Sequence, residues 1–430
     1  MPQIVPGRPS ASALSWFILV VFLFGASIPT LGTAFMLPWG PGFAVVLLWG
    51  ASRLGGEIMK AMGAPDLLGN LLIGIILKNI LPRGKHEGPS LRGLPATWAS
   101  TITNVGLMLI LLRAGLQMDI RALQDRRGRI ALRLALLPGF AEALAVSGVA
   151  RIVFKMPYFL ALSLGFILAA VSPAVVVSSM SNLHSRGFGV AKGIPTLVMA
   201  AAMFDGIVAI SGFSLFIGVA VDSGAPLWLL CIQGPTTILA GIFMGSIVGL
   251  AAAEISLWDT QYKRTFVILG LGCFCVSLAA YLQRNWTPLG ARPISTGAGA
   301  VATLILSMLA KELWHKRGYP LAVNAVSTNI TQLWVQLGQP LLFGVVGSSL
   351  DLQWIDATTI PRAFAIIFSG LAIRLMTAFL ATSKTGFSCR ERGLIAIAWG
   401  SKATIQAALC TIPLAMVNES FDKQVNRFCF

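Results

Sequence analysis

Charged side chains are scarce in this sequence, and their scarcity decides its class. Only 11% of the 430 residues are charged, whereas 56% are hydrophobic, and the mean hydropathy is +0.79. Soluble globular chains carry about 25% charged residues. The composition therefore excludes an ordinary soluble enzyme of two or three domains and predicts a polytopic protein of the lipid bilayer.

The residue types that build metal and catalytic sites are also few. The three histidines fall in candidate loops, and the six cysteines show no metal-ligand spacing. No nucleophile, base and orienting group fall together in one polar region of the sequence. We therefore expect no enzymatic activity, no resident metal and no cofactor.

Basic residues outnumber acidic ones by 32 to 16, which gives a formal net charge of +16. They occur in short clusters between apolar stretches, and the strongest cluster consists of Arg121, Arg126, Arg127 and Arg129. Clusters of this kind orient membrane helices so that their basic loops face the cytoplasm. The excess charge therefore indicates membrane topology and not nucleic-acid binding.

Thirteen apolar stretches are long enough to cross a hydrocarbon core of ~30 Å as helices. Six basic loops then fall on one side, which places the N-terminus in the cytoplasm and the C-terminus on the far side. They contain Arg53 and Lys60, Arg121 to Arg129, Arg186 and Lys192, Lys263 and Arg264, Lys311 to Arg317, and Lys384 to Arg392. We interpret the first stretch as a retained anchor helix rather than a signal peptide. The predicted spans cover residues 13–30, 42–61, 67–81, 96–118, 130–154, 158–182, 193–221, 226–252, 264–282, 296–310, 329–350, 359–382 and 393–416.

The span Gly193–Val221 organises the rest of the chain, because Asp205 is its only ionisable interior side chain. A carboxylate near the membrane midplane costs ~2.5–3.5 kcal/mol on insertion scales, and such groups normally face a bundle interior or a wet cavity. Gly206 and Gly212 allow another backbone to approach this helix closely. We therefore expect Asp205 to bind what the protein transports.

Two spans are interrupted, one in each half of the chain. The first reads AAVSPAVVVSSM around Ser172 and Pro173, and the second reads QLGQPLLFGVVGSSL around Gln339 and Pro340. A proline kink in a packing helix is the alternative for either one alone. The pair predicts an inverted-repeat secondary transporter whose two interrupted helices cross near the midplane and face each other across the core.

Four other buried charges need partners. Glu142 and Arg374 lie in different halves, and the simplest arrangement is a mutual ion pair that clamps two helices together. Lys402 is isolated in WGSKATIQAAL, so Asp205 is its expected countercharge. A lysine held by a carboxylate can lose its proton when a cation takes over that carboxylate, which is a basis for ion/proton exchange. Arg113 lies near a helix end and is expected to reach the interface, with no role in the site.

At this point the sequence resembles a known family. The runs SPAVVVSSM, KGIPTLVMAAAMFDGIVAISGF, QPLLFGVVGSSL, AIRLMTAF and WGSKATIQAAL look like the NHA branch of sodium/proton antiporters, the solute carrier family 9 subfamily B type. The similarity extends from about Gly69 to about Leu409. It implies an all-α antiporter fold with a six-helix core and dimerisation domains, a homodimer, elevator-like alternating access, and exchange of Na⁺ or Li⁺ for H⁺.

The resemblance also implies roles for individual residues. Asp205 matches the first residue of the family's paired aspartates, and Lys402 matches its site lysine. Glu142 and Arg374 match its buried ion pair. Carbonyls near two further residues, Val171 and Ala202, would complete the oxygen shell of the ion.

The chain departs from the family pattern at one site position and at its end. Where the family reads Phe-Asp-Asp, this chain reads Phe204-Asp205-Gly206, so the second carboxylate is missing and the ion site is altered. The resemblance predicts one further C-terminal span that the chain lacks, as in a truncated isoform or an incomplete gene model. We interpret residues 1–430 as a single exchanger-type transmembrane domain, with anchor and dimerisation helices in 13–66.

Three functions are compatible with this sequence, and the residue at position 206 is the feature that distinguishes them. The first is a cation/proton antiporter with an altered site, in which Asp205 alternates between a proton and Na⁺, Li⁺ or K⁺. The second is a proton-coupled anion transporter, because Lys402 leaves a cavity with one negative charge fewer. The third is a non-transporting paralogue that regulates an active partner. The expected location is the plasma membrane or an endomembrane, the mitochondrial one included.

Overall fold

The computed structural model describes residues 40–80, 94–118, 125–221, 227–255, 261–285 and 297–410. Regular structure in these ranges is helical throughout, and no strand occurs within them. This confirms the all-α class. The helices are α1 (Pro41–Ala61), α2 (Asp66–Ile80), α3 (Ala96–Gln117), α4 (Asp125–Phe154), α5 (Tyr158–Ala169), α6 (Pro173–Ser185), α7 (Ile194–Val221), α8 (Leu227–Ile255), α9 (Gln261–Asn285), α10 (Gly297–Lys316), α11 (Pro320–Leu333), α12 (Gln339–Ser348), α13 (Thr359–Ala381), α14 (Cys389–Trp399) and α15 (404–410).

Eight segments in the described ranges are long and apolar enough to cross a membrane. The total of thirteen spans stays a prediction, because the stretch 13–30 lies outside the described residues. The eleventh span begins at Pro320 instead of residue 329. The eight segments are Thr97–Gln117, Gly128–Phe154, Ile194–Ala220, Ile232–Glu254, Tyr262–Gln283, Gly297–Lys316, Thr359–Ala381 and Cys389–Cys410.

The described chain divides into two compact units. The smaller one contains residues 40–80, 94–99 and 343–352. Its helices pack backbone against backbone, because a Cβ atom added to Gly69 would overlap the carbonyl oxygen of Gly55, and one added to Gly74 would overlap that of Gly344. Small residues replace side-chain interdigitation where membrane helices approach this closely.

The larger unit contains the remaining described residues, and α4, α5, α7 and α13 pack together at its centre. Glycines again set the spacing. A Cβ atom on Gly165 of α5 would overlap the carbonyl oxygen of Ala143 of α4, and one on Gly370 of α13 would lie 2.6 Å from Val146 Cγ2 of α4. These close contacts bring the polar residues of four helices within reach of one another.

The first interruption lies where the sequence predicts it. Helix α5 ends at Ala169, Ala170 and Ser172 have extended backbone conformations, and α6 starts at Pro173. Proline suits the first position of a helix, because the N–H that it lacks would have no intrahelical partner there. The last carbonyl groups of α5 therefore have no backbone partners within that helix, and the next helix begins after three residues.

The second interruption is not at Gln339 and Pro340, and this prediction needs correction. The chain there stays helical, since a π-helical turn at Trp334–Gly338 links α11 directly to α12. Pro340 has no N–H to donate, and the wider π-helical turn before it lets the helix continue without that hydrogen bond. The segment that meets the first interruption is 400–403, between α14 and α15.

Candidate functional site

Asp205 lies on α7 and is buried, and its two carboxylate oxygens have different partners. Oδ1 accepts a hydrogen bond from Nη2 of Arg374 at 3.0 Å. Oδ2 accepts one from the backbone N–H of Val171 at 2.7 Å, within the first interruption. The carboxylate thus lies at the broken helix, held by one guanidinium and one peptide group.

Arg374 on α13 connects most of the site. Its Nη1 lies 2.7 Å from Oε2 of Glu142 on α4 and also donates to the carbonyl of Ala169, the last residue of α5. Its Nε donates to the carbonyl of Trp399, the last residue of α14, at 2.7 Å. One fully buried guanidinium therefore binds two carboxylates and the C-terminal ends of both interrupted helices.

Lys402 lies in the second interruption, and its partner differs from the predicted one. Its Nζ is 2.7 Å from Oε1 of Glu142 and donates to the carbonyl of Leu168. The expected direct pair with Asp205 is replaced, because Arg374 lies between the two carboxylates and binds both. The ion pairs form a chain of alternating sign, Lys402, Glu142, Arg374 and Asp205, whose formal charges sum to zero.

Solvent reaches the two ends of this chain differently. The Lys402 side chain is 17% exposed, whereas those of Glu142 and Asp205 are each 1% exposed and that of Arg374 is 0% exposed. Lys402 is therefore the most exposed member of the four.

Three successive carbonyls at the C-terminal end of α5 accept side-chain donors. Those of Leu168 and Ala169 receive Lys402 and Arg374, and that of Ala170 receives the Nε2 of Gln406. The last carbonyls of a helix lack backbone partners and carry partial negative charge, so cations stabilise them. The Ala170 carbonyl and the Val171 N–H belong to one peptide unit, which therefore binds Gln406 on one edge and Asp205 on the other.

The two interruptions also bind each other directly. The N–H of Ser172 donates to the carbonyl of Ser401 at 3.0 Å. The hydroxyls of Ser172 and Thr404 are 2.9 Å apart. Sequence reasoning missed Thr404 and Gln406, although both lie within one turn of Lys402 in the run SKATIQ.

The other predicted site residues have less defined roles. Ala202 is fully buried on α7, one turn before Asp205, and the carbonyl roles of Ala202 and Val171 stay predictions. Gly206 is buried, and a Cβ atom there would lie 3.1 Å from Cδ1 of Ile405 on α15. Within the described ranges, no group of three or more His, Cys, Asp or Glu side chains could hold a metal ion.

Comparison with known proteins gives a consistent result along the chain. A family model described as "Sodium/hydrogen exchanger, transmembrane" matches residues 43–420. Sodium/hydrogen exchanger 9B2 of Mus musculus is 32% identical over 402 residues, which cover 91% of this chain and 69% of that protein. Sodium/hydrogen exchanger 9B1 of Homo sapiens is 35% identical over 393 residues, which cover 88% of this chain and 70% of that protein.

A solved structure shares the fold. The sodium proton antiporter MjNhaP1 from Methanocaldococcus jannaschii aligns with a TM-score of 0.69 and 20% sequence identity, covering 88% of this chain and 86% of its own. At 20% identity the similarity is evidence for the fold alone. It confirms the predicted antiporter architecture.

The geometry around Arg374 predicts a large loss of stability when this side chain is replaced by Met. Removing one partner of a buried pair typically costs ~3–5 kcal/mol, because the remaining charge is left uncompensated. We expect Arg374→Met to lower the thermal unfolding midpoint in detergent much more than Arg392→Met, whose guanidinium, among the described residues, binds the carbonyl and ring of Phe379 and no carboxylate.

Neutralising Asp205 as well should restore part of the stability of Arg374→Met. In that background Glu142 still pairs with Lys402, so Asp205→Asn removes the one uncompensated charge of the four. An Arg374→Met protein as stable as Arg392→Met would contradict the central position of this side chain.

Proposed function

The chain belongs to the sodium/hydrogen exchanger family, and we propose that it exchanges Na⁺ or Li⁺ for H⁺ across a membrane by alternating access. It is a multi-pass integral membrane protein. The observation that carries the proposal is the position of Asp205, a buried carboxylate at the crossing of two interrupted helices. In secondary transporters such crossings direct helix ends and free backbone groups toward the ion.

Charge balance supports coupling between the cation and a proton. Glu142, Asp205, Arg374 and Lys402 are together neutral, so a bound Na⁺ would add one uncompensated charge to a buried site. An isolated charge in a medium of low dielectric constant is strongly unfavourable. Loss of one proton from the same network restores neutrality, and this makes binding of the cation and release of a proton one combined step.

The order of the ion pairs gives this step a route. A cation that engages Asp205 weakens its bond to Arg374, and the guanidinium then interacts more strongly with Glu142. Arginine keeps its proton in proteins, so Arg374 transmits the change without titrating. Glu142 in turn holds Lys402 less strongly, and the mostly buried but partly exposed ammonium group releases its proton to water.

The altered position 206 fits a site with a single carboxylate. Asp205 has two oxygens, each already accepting one hydrogen bond, and Gly206 contributes no side-chain oxygen. A hard monovalent cation then depends on Asp205 together with neutral oxygens, and we infer weaker binding than a second carboxylate would give. We also propose K⁺ as a third transported cation. We further propose that the protein is a homodimer, and the mass of the purified protein in detergent tests this.

Neutralising the proposed ion ligand should abolish exchange. In proteoliposomes with an imposed pH gradient, we expect Na⁺ and Li⁺ to dissipate the gradient with the wild type and not with Asp205→Asn, because an amide keeps the shape and cannot compensate a cation. Asp356→Asn, on an exposed loop, is the matched control and should behave as the wild type. Full activity of folded Asp205→Asn would eliminate Asp205 as the carrier.

Adding a carboxylate at position 206 should strengthen cation binding. The Cβ atom of Gly206→Asp would lie 3.1 Å from Cδ1 of Ile405, so the end of that side chain must shift by a few tenths of an ångström. We expect the half-saturating Na⁺ concentration to fall about tenfold, the change produced by ~1.4 kcal/mol of added binding. Gly206→Asn adds the same volume without the charge and should not show the gain.

Position 206 also separates the antiporter from the other two functions. Na⁺-dependent flux that appears only in Gly206→Asp would identify the natural protein as a non-transporting paralogue. Proton flux that depends on chloride and not on the cation would favour anion transport.

The neutral charge balance predicts one-for-one exchange that carries no net current. We expect the initial rate of Na⁺-driven proton movement to be the same at zero and at −100 mV, clamped with K⁺ and valinomycin, after subtraction of the proton movement in the same K⁺ gradient without Na⁺. Moving one net charge through that potential would involve ~2.3 kcal/mol and would change the rate strongly. A rate that rises with voltage would show that more than one proton moves per cation.

A further inference from the structure

A small cleft lies beside the first interruption, on the side of α6 that faces α3. Its empty space of about 210 Å³ includes space that is open to solvent. Most of that space is open or too narrow for a ligand, so the cleft suits a single small ion or a water molecule. Its walls come from α3, α6 and the π-helical turn, through Ile110, Arg113, Ala114, Gln117, Pro173, Val177 and Trp334.

Arg113 is the one charged residue of this lining, although the sequence suggests no role for it. Its side chain is partly exposed, but its Nε is buried at the cleft. That Nε has no hydrogen-bond partner among the described residues, and none of the ion pairs found within them includes Arg113. A buried donor on a charged group is costly when it has no acceptor.

The cleft lies between two helix ends of opposite polarity. The C-terminal end of α3 carries partial negative charge, which Lys311 compensates by donating from Nζ to the carbonyl of Met118 at 2.7 Å. The N-terminal end of α6, which carries partial positive charge, lies at Pro173 in the cleft wall. Gln117 offers an amide group, and no Asp or Glu belongs to the lining.

We propose that this cleft binds a small monovalent anion of the chloride class. The anion would accept the hydrogen bond of Arg113 Nε and compensate its charge, whereas a water molecule would do only the former. The occupant is monovalent because one guanidinium charge faces it. The walls of Ile110, Ala114 and Val177 are apolar and buried, so they disfavour a strongly hydrated ion such as phosphate.

The position of the cleft relates the anion to the interruption. Pro173 follows Val171, the donor to Asp205, by two residues, so the anion and the carboxylate flank the same short segment. A bound anion would fix α6 against α3 and so stabilise this part of the larger unit. The inference does not rest on the proposed exchange activity, because its test measures binding.

The test compares thermal unfolding of the purified protein as chloride replaces gluconate, at constant Na⁺ and ionic strength. A ligand that binds only the folded state raises the unfolding midpoint in a saturable manner. We expect that rise in the wild type, in Arg113→Lys to a reduced extent, and not in Arg113→Gln. Arg362→Gln, at an exposed arginine of α13, is the matched control and should keep the full rise.

Each outcome bears on the proposal. A wild type that chloride does not stabilise overturns it, and so does a rise that Arg113→Gln retains in full. A rise of equal size with sulfate would overturn the monovalent class. Should Arg113→Gln fail to fold, crystals of the wild type grown with bromide decide: anomalous density within hydrogen-bonding distance of Arg113 Nε supports the site, and an empty cleft at saturating bromide overturns it.

Discussion

The arrangement of the larger unit depends on one buried guanidinium. Arg374 has hydrogen-bond donors in three directions, and the structure uses each of them: one for the end of α14, one for Glu142 and the end of α5, and one for Asp205. A planar, permanently charged group is suited to this task, whereas a lysine would offer a single point charge. The interrupted helices can end in the membrane because this side chain satisfies their last carbonyls.

The same interaction explains why broken helices and buried charges occur together. Free carbonyls at the ends of α5 and α14 would be unfavourable in an apolar interior, and so would the cations Arg374 and Lys402 without partners. The cations provide donors for the carbonyls, and the carbonyls stabilise the cations. The carboxylates of Glu142 and Asp205 complete the balance, so that a neutral network occupies the centre of an otherwise apolar unit.

The sequence predicted much of this and missed specific parts for physical reasons. Asp205, Glu142, Arg374 and Lys402 were identifiable because single charges within long apolar runs must have partners. The pairing of these charges could not be identified from the sequence, because Arg374 contacts both carboxylates only after α4, α7 and α13 pack together. The second interruption was misplaced because Pro340 resembles a break, whereas a π-helical turn absorbs it. The actual interruption at 400–403 has no proline. The cleft at Arg113 was not predictable, because the position of a residue near a helix end does not show which side chains of other helices lie beside it.

The peptide unit shared by Ala170 and Val171 has a mechanical consequence. Its carbonyl accepts a hydrogen bond from Gln406 of α15, and its N–H donates to Asp205 of α7. This rigid planar group therefore connects two helices. Rotating that plane to free the carboxylate also breaks the bond to Gln406. Release of the Asp205 carboxylate by this amide and release of the end of α5 by α15 are therefore one coupled change.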